Sequence, residues 1–154
     1  MVAMIQVPLT DRQCPQGASY AKKHLTTPPK TAVLCCEGAC LRGEIARRAA
    51  NLITGDLAPE RAVRICHGGL LETSGGMKDL VQHAQDVLQV DGCAMACGTR
   101  LLRGAMPDVN PVTVFADQLY EFDRNKFSLA DMSGTEMQQH ARTVAERIVE
   151  KHLS

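Results

Sequence analysis

The feature that most constrains this chain is an alternation. Four short apolar runs, TAVLCC (31–36), RAVRIC (61–66), DVLQVD (86–91) and PVTVFAD (111–117), are separated by stretches with helical spacing. A short continuous apolar run suits a strand buried on both faces, as strands of a parallel sheet are. Between the first two runs, GEIARRAANLITGDL puts Ile45, Ala46, Ala49, Leu52 and Ile53 on one helical face, with Arg47, Arg48 and Asn51 elsewhere. MKDLVQHA (77–84) is a short helix candidate, and GCAMACGTRLLRGA is a loop leading into a helix. From Ser133, Ser-Gly-Thr-Glu has the capping-box pattern. Met137, Ala141, Val144, Ala145, Ile148 and Val149 follow at helical spacing. The alternation predicts a three-layer α/β fold of Rossmann-like kind: a mostly parallel sheet of about four strands, helices on both faces, right-handed crossovers. The first and third strands are expected side by side near the middle.

A chain of 154 residues suits one compact domain. Pro8, Pro15, Pro28 and Pro29, with Gly17, make residues 1–30 read as an irregular N-terminal segment, leaving 31–154 as a single α/β domain. Aromatics are 3% and Trp is absent, so the core must come from Val, Ile, Leu, Ala and Met, and few rings remain for stacking on bases. Lys plus Arg and Asp plus Glu both number 17, which argues against a nucleic-acid or acidic-membrane surface. No apolar window reaches about 18 residues, the length of a membrane span. The opening MVAMIQVPLT lacks a basic flank and is interrupted by Gln6 and Pro8, unlike a signal peptide. These features lead to the expectation of a cytoplasmic protein, whose thiols stay reduced and whose clustered cysteines serve metal or catalysis before disulfides.

The cysteines follow the alternation. Cys35 and Cys36 end the first run and Cys40 lies in its loop; Cys66 ends the second; Cys93 and Cys97 follow the third. Six of the seven cysteines therefore fall at or just past strand ends, and Cys14 alone lies in the N-terminal segment. In an open parallel sheet those ends share one edge, where ligands bind at the point of strand-order reversal. A tetrahedral zinc site takes four soft ligands. Cys93 and Cys97, read as i, i+4 on one helix, chelate from one side, with Cys36 and Cys66 completing the set. Helix N-termini favour the deprotonated thiol that a metal needs. Cys35, Cys40 and His67 are additional candidate ligands. Asp91 is read either as a hydrogen-bonding partner of a ligand loop or as a turn or cap residue.

Other chemistry competes. Cys40 or Cys97 as nucleophile, with Cys36 or Cys93 to resolve it, describes a thiol redox or sulfur-transfer enzyme. Four thiolates equally suit an iron–sulfur cluster. EGACLRG has no Gly-Lys-Ser/Thr, no Gly-x-Gly-x-x-Gly follows the first run, and no hydrolase elbow is present. HGGLLETSGG offers backbone amides to an anion, a weak signal. His24, His83, His140 and His152 are scattered. A homodimer is compatible with the sequence, with the first 30 residues covering the sheet edge or packing on a second subunit.

Asp91-Gly92-Cys93 followed by Cys97 resembles the signature of the DGC-domain family, small bacterial and archaeal proteins described as zinc-binding. The resemblance extends to Cys36-x-Gly38-Ala39 and to Cys66 with Gly68-Gly69, in the family's order, over residues 31–119. It implies Cys36, Cys66, Cys93 and Cys97 as zinc ligands. Ala94 stands where the family often has Pro, and Cys35 and Cys40 where it more often has Ser.

Overall fold

The computed structural model describes residue 3 and residues 6–154. Its sheet has four strands, β1 Thr31–Cys35, β2 Ala62–Arg64, β3 Val87–Asp91 and β4 Val112–Phe115, all parallel, in the order β2-β1-β3-β4. The expected adjacency of the first and third strands holds, with Val33 opposite Leu88 and Cys35 opposite Val90. The chain leaves β1 in one direction to form β2 and returns on the other side to form β3. Strand order therefore reverses between β1 and β3, the usual ligand position in such sheets.

Helices cover both faces: α1 Pro15–His24, α2 Leu41–Leu52, α3 Gly76–His83, α4 Cys97–Ala105 and α5 Gly134–His152. Because strand side chains alternate, β1 sends Val33 and Cys35 into a core with α2 and α5, and Ala32 and Leu34 into a core with α1, α3 and α4. The first core holds Ile45, Ala49, Ile53, Ala141, Val144 and Ile148 at no more than 1% exposure. Each such aliphatic side chain larger than Ala contributes about 1.5–3 kcal/mol on burial. Leu52 and Val149, expected in the same faces, are only partly buried at its margin. The Ser133 hydroxyl accepts from Glu136 N at 3.1 Å, so α5 starts where the sequence marks it. No helix among the described residues is long and apolar enough to cross a membrane.

Several boundaries differ from expectation. Helix α1 lies inside the segment read as irregular. Its prolines and glycine suggest a break, yet Pro15 occupies the first turn, where a missing N–H costs nothing, and the Cys14 sulfur accepts from Gly17 N at 3.3 Å. Gly76 matters for packing: a Cβ there would collide with the Gly17 carbonyl oxygen and the Ala21 side chain, so α3 touches α1 through a glycine. Strand β2 ends at Arg64, two residues before Cys66. Helix α2 begins at Leu41 and relaxes into a wider π turn, Ile53–Leu57. Before α1, Thr10 pairs in parallel with Glu72: Thr10 N donates to Leu71 O at 3.0 Å and Thr73 N to Thr10 O at 2.8 Å. That pairing lays the lead segment alongside the chain that follows β2.

Candidate metal centre

The site is organised by Asp91, the last residue of β3 and fully buried. One carboxylate oxygen accepts from Gly98 N (2.8 Å); the other accepts from Thr99 N (3.1 Å) and the Thr99 hydroxyl (2.6 Å). A strand carboxylate thus takes the orphan amides that begin α4, and its charge suits the positive end of the helix. The residue in the N-cap position, Ala96, has no side chain for that task and is held at φ 52°, the left-handed region. Such a conformation costs roughly 1–2 kcal/mol outside glycine and persists only where neighbours over-determine it.

Glycines permit the close contacts. A Cβ at Gly98 would collide with the Gln89 side-chain nitrogen and lie 2.7 Å from Asp91 Oδ1. A Cβ at Gly92 would lie 2.6 Å from Gly43 N, so the loop after β3 touches the first turn of α2 only because Gly92 has none. The Asp91-Gly92 pair therefore fixes both helices that flank the switch point.

A polar chain runs beneath them. Gln89, fully buried in β3, accepts from His67 Nε2 through its Oε1 at 3.2 Å and donates through its Nε2 to Asp91 Oδ1 at 3.4 Å. The Thr99 hydroxyl also meets that of Thr113 on β4 at 2.9 Å. These partners escape sequence reasoning; the one signal is Gln89 itself, a polar residue in the middle of an apolar run.

The cysteines take distinct positions. Cys36 is half-buried just after β1, where its amide continues the ladder to Val90 O at 2.9 Å. Burial pushes its thiol up to about 11; Asp91, Cys97 and Cys40 add to the shift and a backbone hydrogen bond with Gly92 opposes it. Cys40 is the half-buried N-cap residue of α2, and its side chain makes no cap hydrogen bond. Cys66 is exposed and caps the 3₁₀ turn His67–Leu71, its sulfur accepting from Gly69 N at 3.3 Å. Cys97 is the exposed first residue of α4, with Arg100 Nη2 3.4 Å from its sulfur.

Cys93 corrects one expectation. It is half-buried in the turn before α4, closed by Ala96 N donating to Cys93 O at 3.1 Å. It therefore does not share a helical face with Cys97, because left-handed Ala96 breaks the helix between them. Cys35 points into the α2/α5 core at 3% exposure. Arg64 Nη2 donates to it at 2.6 Å; burial raises its thiol and Arg64 works against that rise. His67 is half-buried and its imidazole is lowered, chiefly by that burial. Cys14 is exposed and caps α1.

The edge thus brings Cys36 into electrostatic reach of Cys40 and Cys97. Among the described residues, no three His, Cys, Asp or Glu side chains form a ready metal-holding group.

These features define a class, a parallel α/β unit whose C-terminal sheet edge carries thiols at helix N-termini. The chain belongs to the DGC domain family, whose model matches residues 32–148. No curated protein and no solved structure matches it.

Proposed function

We propose that this DGC-domain protein binds one zinc ion through Cys36, Cys66, Cys93 and Cys97. The observation that carries the reading is positional: these thiols follow β1, β2 and β3 and stand on both sides of the point where strand order reverses. The donor chemistry fits, since four soft thiolates suit zinc. The surroundings of Cys36 fit as well. Burial and anionic neighbours penalise a lone thiolate there, and a dication reverses that penalty. Because the described side chains form no closed cage, binding requires the loops after the three strands to draw in. The metal then cross-links the sheet edge and its binding energy becomes folding energy. A bound zinc with four protein ligands is structural, whereas one with an open position polarises a ligand. The chain works in the cytoplasm, where these thiols stay reduced.

The test is the metal content of protein purified without added metal or chelator, with thiol titration before and after denaturation. The expected result is about one zinc per chain and about four thiols protected until it is removed. Metal-free protein with a fast-reacting thiol overturns the reading, and a brown protein containing iron assigns the thiols to a cluster.

One observation favours a second reading, thiol–disulfide exchange. Cys97 is exposed with a guanidinium donor beside its sulfur. Its thiolate would attack a disulfide substrate, and the Cys36 thiolate would then release the second substrate thiolate. A Cys36–Cys97 disulfide would remain, with two electrons passed to substrate. The raised Cys36 thiol disfavours this reading, because a resolving thiol must ionise.

A further inference from the structure

Beside the thiol edge, α4 and the lead segment line an open cleft of about 650 Å³, within the ~300–1,000 Å³ typical of small-molecule sites. Its walls are large apolar side chains that the chain leaves uncovered: Leu101 on α4 is 56% exposed, Val7 52% and Leu9 47%. Leu71 closes one side, and the backbone bonds of Thr10 to residues 71 and 73 hold Leu9 against it. Nothing lies within 4 Å of a Cβ built at Gly104, so that stretch of α4 is open.

The polar groups of the lining are confined to the first turn of α4, namely Arg100 and Cys97. Arg100 is exposed and makes no ion pair among the described residues; its hydrogen bond there goes to the Cys97 sulfur. A long apolar wall ending at one uncompensated cation is complementary to an amphipathic anion. A neutral apolar ligand leaves the guanidinium unused, and a dianion meets no second cation in the lining. We propose that this cleft binds a medium-chain carboxylate, its head on Arg100 and its tail along Leu101, Leu71, Val7 and Leu9. The proposal does not rest on the zinc reading, since the tail-binding wall of Leu101, Leu71, Val7 and Leu9 includes none of the proposed ligands and Cys97 lines only the polar end.

The test uses the full chain, with and without bound metal, and the fluorescent carboxylate 11-(dansylamino)undecanoate below its micellar concentration. The expected result is a blue-shifted emission on binding, reversed by decanoate at least tenfold more effectively than by decan-1-ol. Arg100→Ala should abolish that tenfold preference while leaving decanol competition in place. Leu101→Asp, at an exposed position, should remove probe binding without changing zinc content or thermal unfolding. Equal competition by decanoate and decanol in the native chain overturns the carboxylate assignment. Absence of probe binding overturns the site. A dimer in sedimentation that Leu101→Asp converts to monomer assigns the wall to a second copy instead. Zinc content, read on the same samples, separates any of these failures from failure of the metal reading.

Discussion

Helix α4 starts on a buried carboxylate, whereas α2, its neighbour across the switch point, starts on a backbone carbonyl lent by a surface loop. Asp91 meets α4 with three donors and no exposure. Leu41 N, at the first turn of α2, donates to Phe127 O at 2.9 Å, and Phe127 is 66% exposed. The loop carrying Phe127 is tied down by Asp117, which faces Arg42 Nε at 3.6 Å and Arg124 Nη1 at 3.4 Å, with both guanidiniums over the Phe122 ring. Water excluded from the first anchor strengthens it, while the second reaches water through Phe127 and Arg124 and is weakened there. The Cys93–Cys97 side of the edge is thus more firmly anchored than the Cys36–Cys40 side. The proposed zinc site, whose loops draw in on the ion, needs both.

The sharpest way to break this contrast is Asp91→Ala. It strands two buried amides, at a cost of about 3 kcal/mol or more, and should lower the melting temperature by roughly 10 °C. A shift under about 3 °C would mean that α4 does not depend on the carboxylate. Next in size is Cys36→Ser, which should remove zinc from protein that Cys40→Ser leaves loaded, measured as metal per chain. Retention of full zinc by Cys36→Ser removes that residue from the ligand set. Asp117→Asn should cost less, about 1–2 kcal/mol in urea unfolding, because its Arg124 pair is largely exposed and screened while only its Arg42 pair is shielded. A cost equal to that of Asp91→Ala would erase the difference between the two anchors.

The smallest effects are those of pH on metal-free protein. The Cys36 thiol is held at about 11 in the fold against an ordinary 9.0, so the fold binds its proton more tightly than the unfolded chain. Its contribution is therefore complete below about pH 9 and lost as pH rises through 11. His67 is lowered from 6.5, so its contribution is present above that value and lost as pH falls below it. Urea midpoints across pH should show both losses. Cys36→Ala should flatten the alkaline limb and His67→Gln the acid limb; an unchanged slope in either variant removes that group as the cause.

Much of this organisation is legible in the chain. The central runs become strands because β-branched and aliphatic residues fill both faces of a parallel sheet at β1 and β3, whereas β4 is a partly exposed edge, and Ser133 marks the start of α5 through its own hydroxyl. Helix α1 is illegible because Pro15 and Gly17 are breakers in general and are harmless only in the first turn of a helix packed closely on α3. The cysteines at strand ends are legible as a group. Their individual directions are not, since each depends on contacts with residues distant in sequence.

Sequence by itself determined the alternation, hence a parallel sheet with α/β layers, and hence the delivery of six cysteines toward one edge. Tertiary structure alone decided what each thiol faces. Cys35 and Cys36 are neighbours, yet the first, the last residue of β1, is buried in the core against α2 and α5, while the second, just past the strand, is only half-buried at the margin of that core. Cys93 and Cys97 are a helical turn apart in number, yet Asp91 draws the amides of α4 onto its carboxylate, and Ala96 adopts a left-handed backbone that sets Cys93 off the helix. Local spacing carries no record of that choice, because the carboxylate that imposes it is fixed by the sheet.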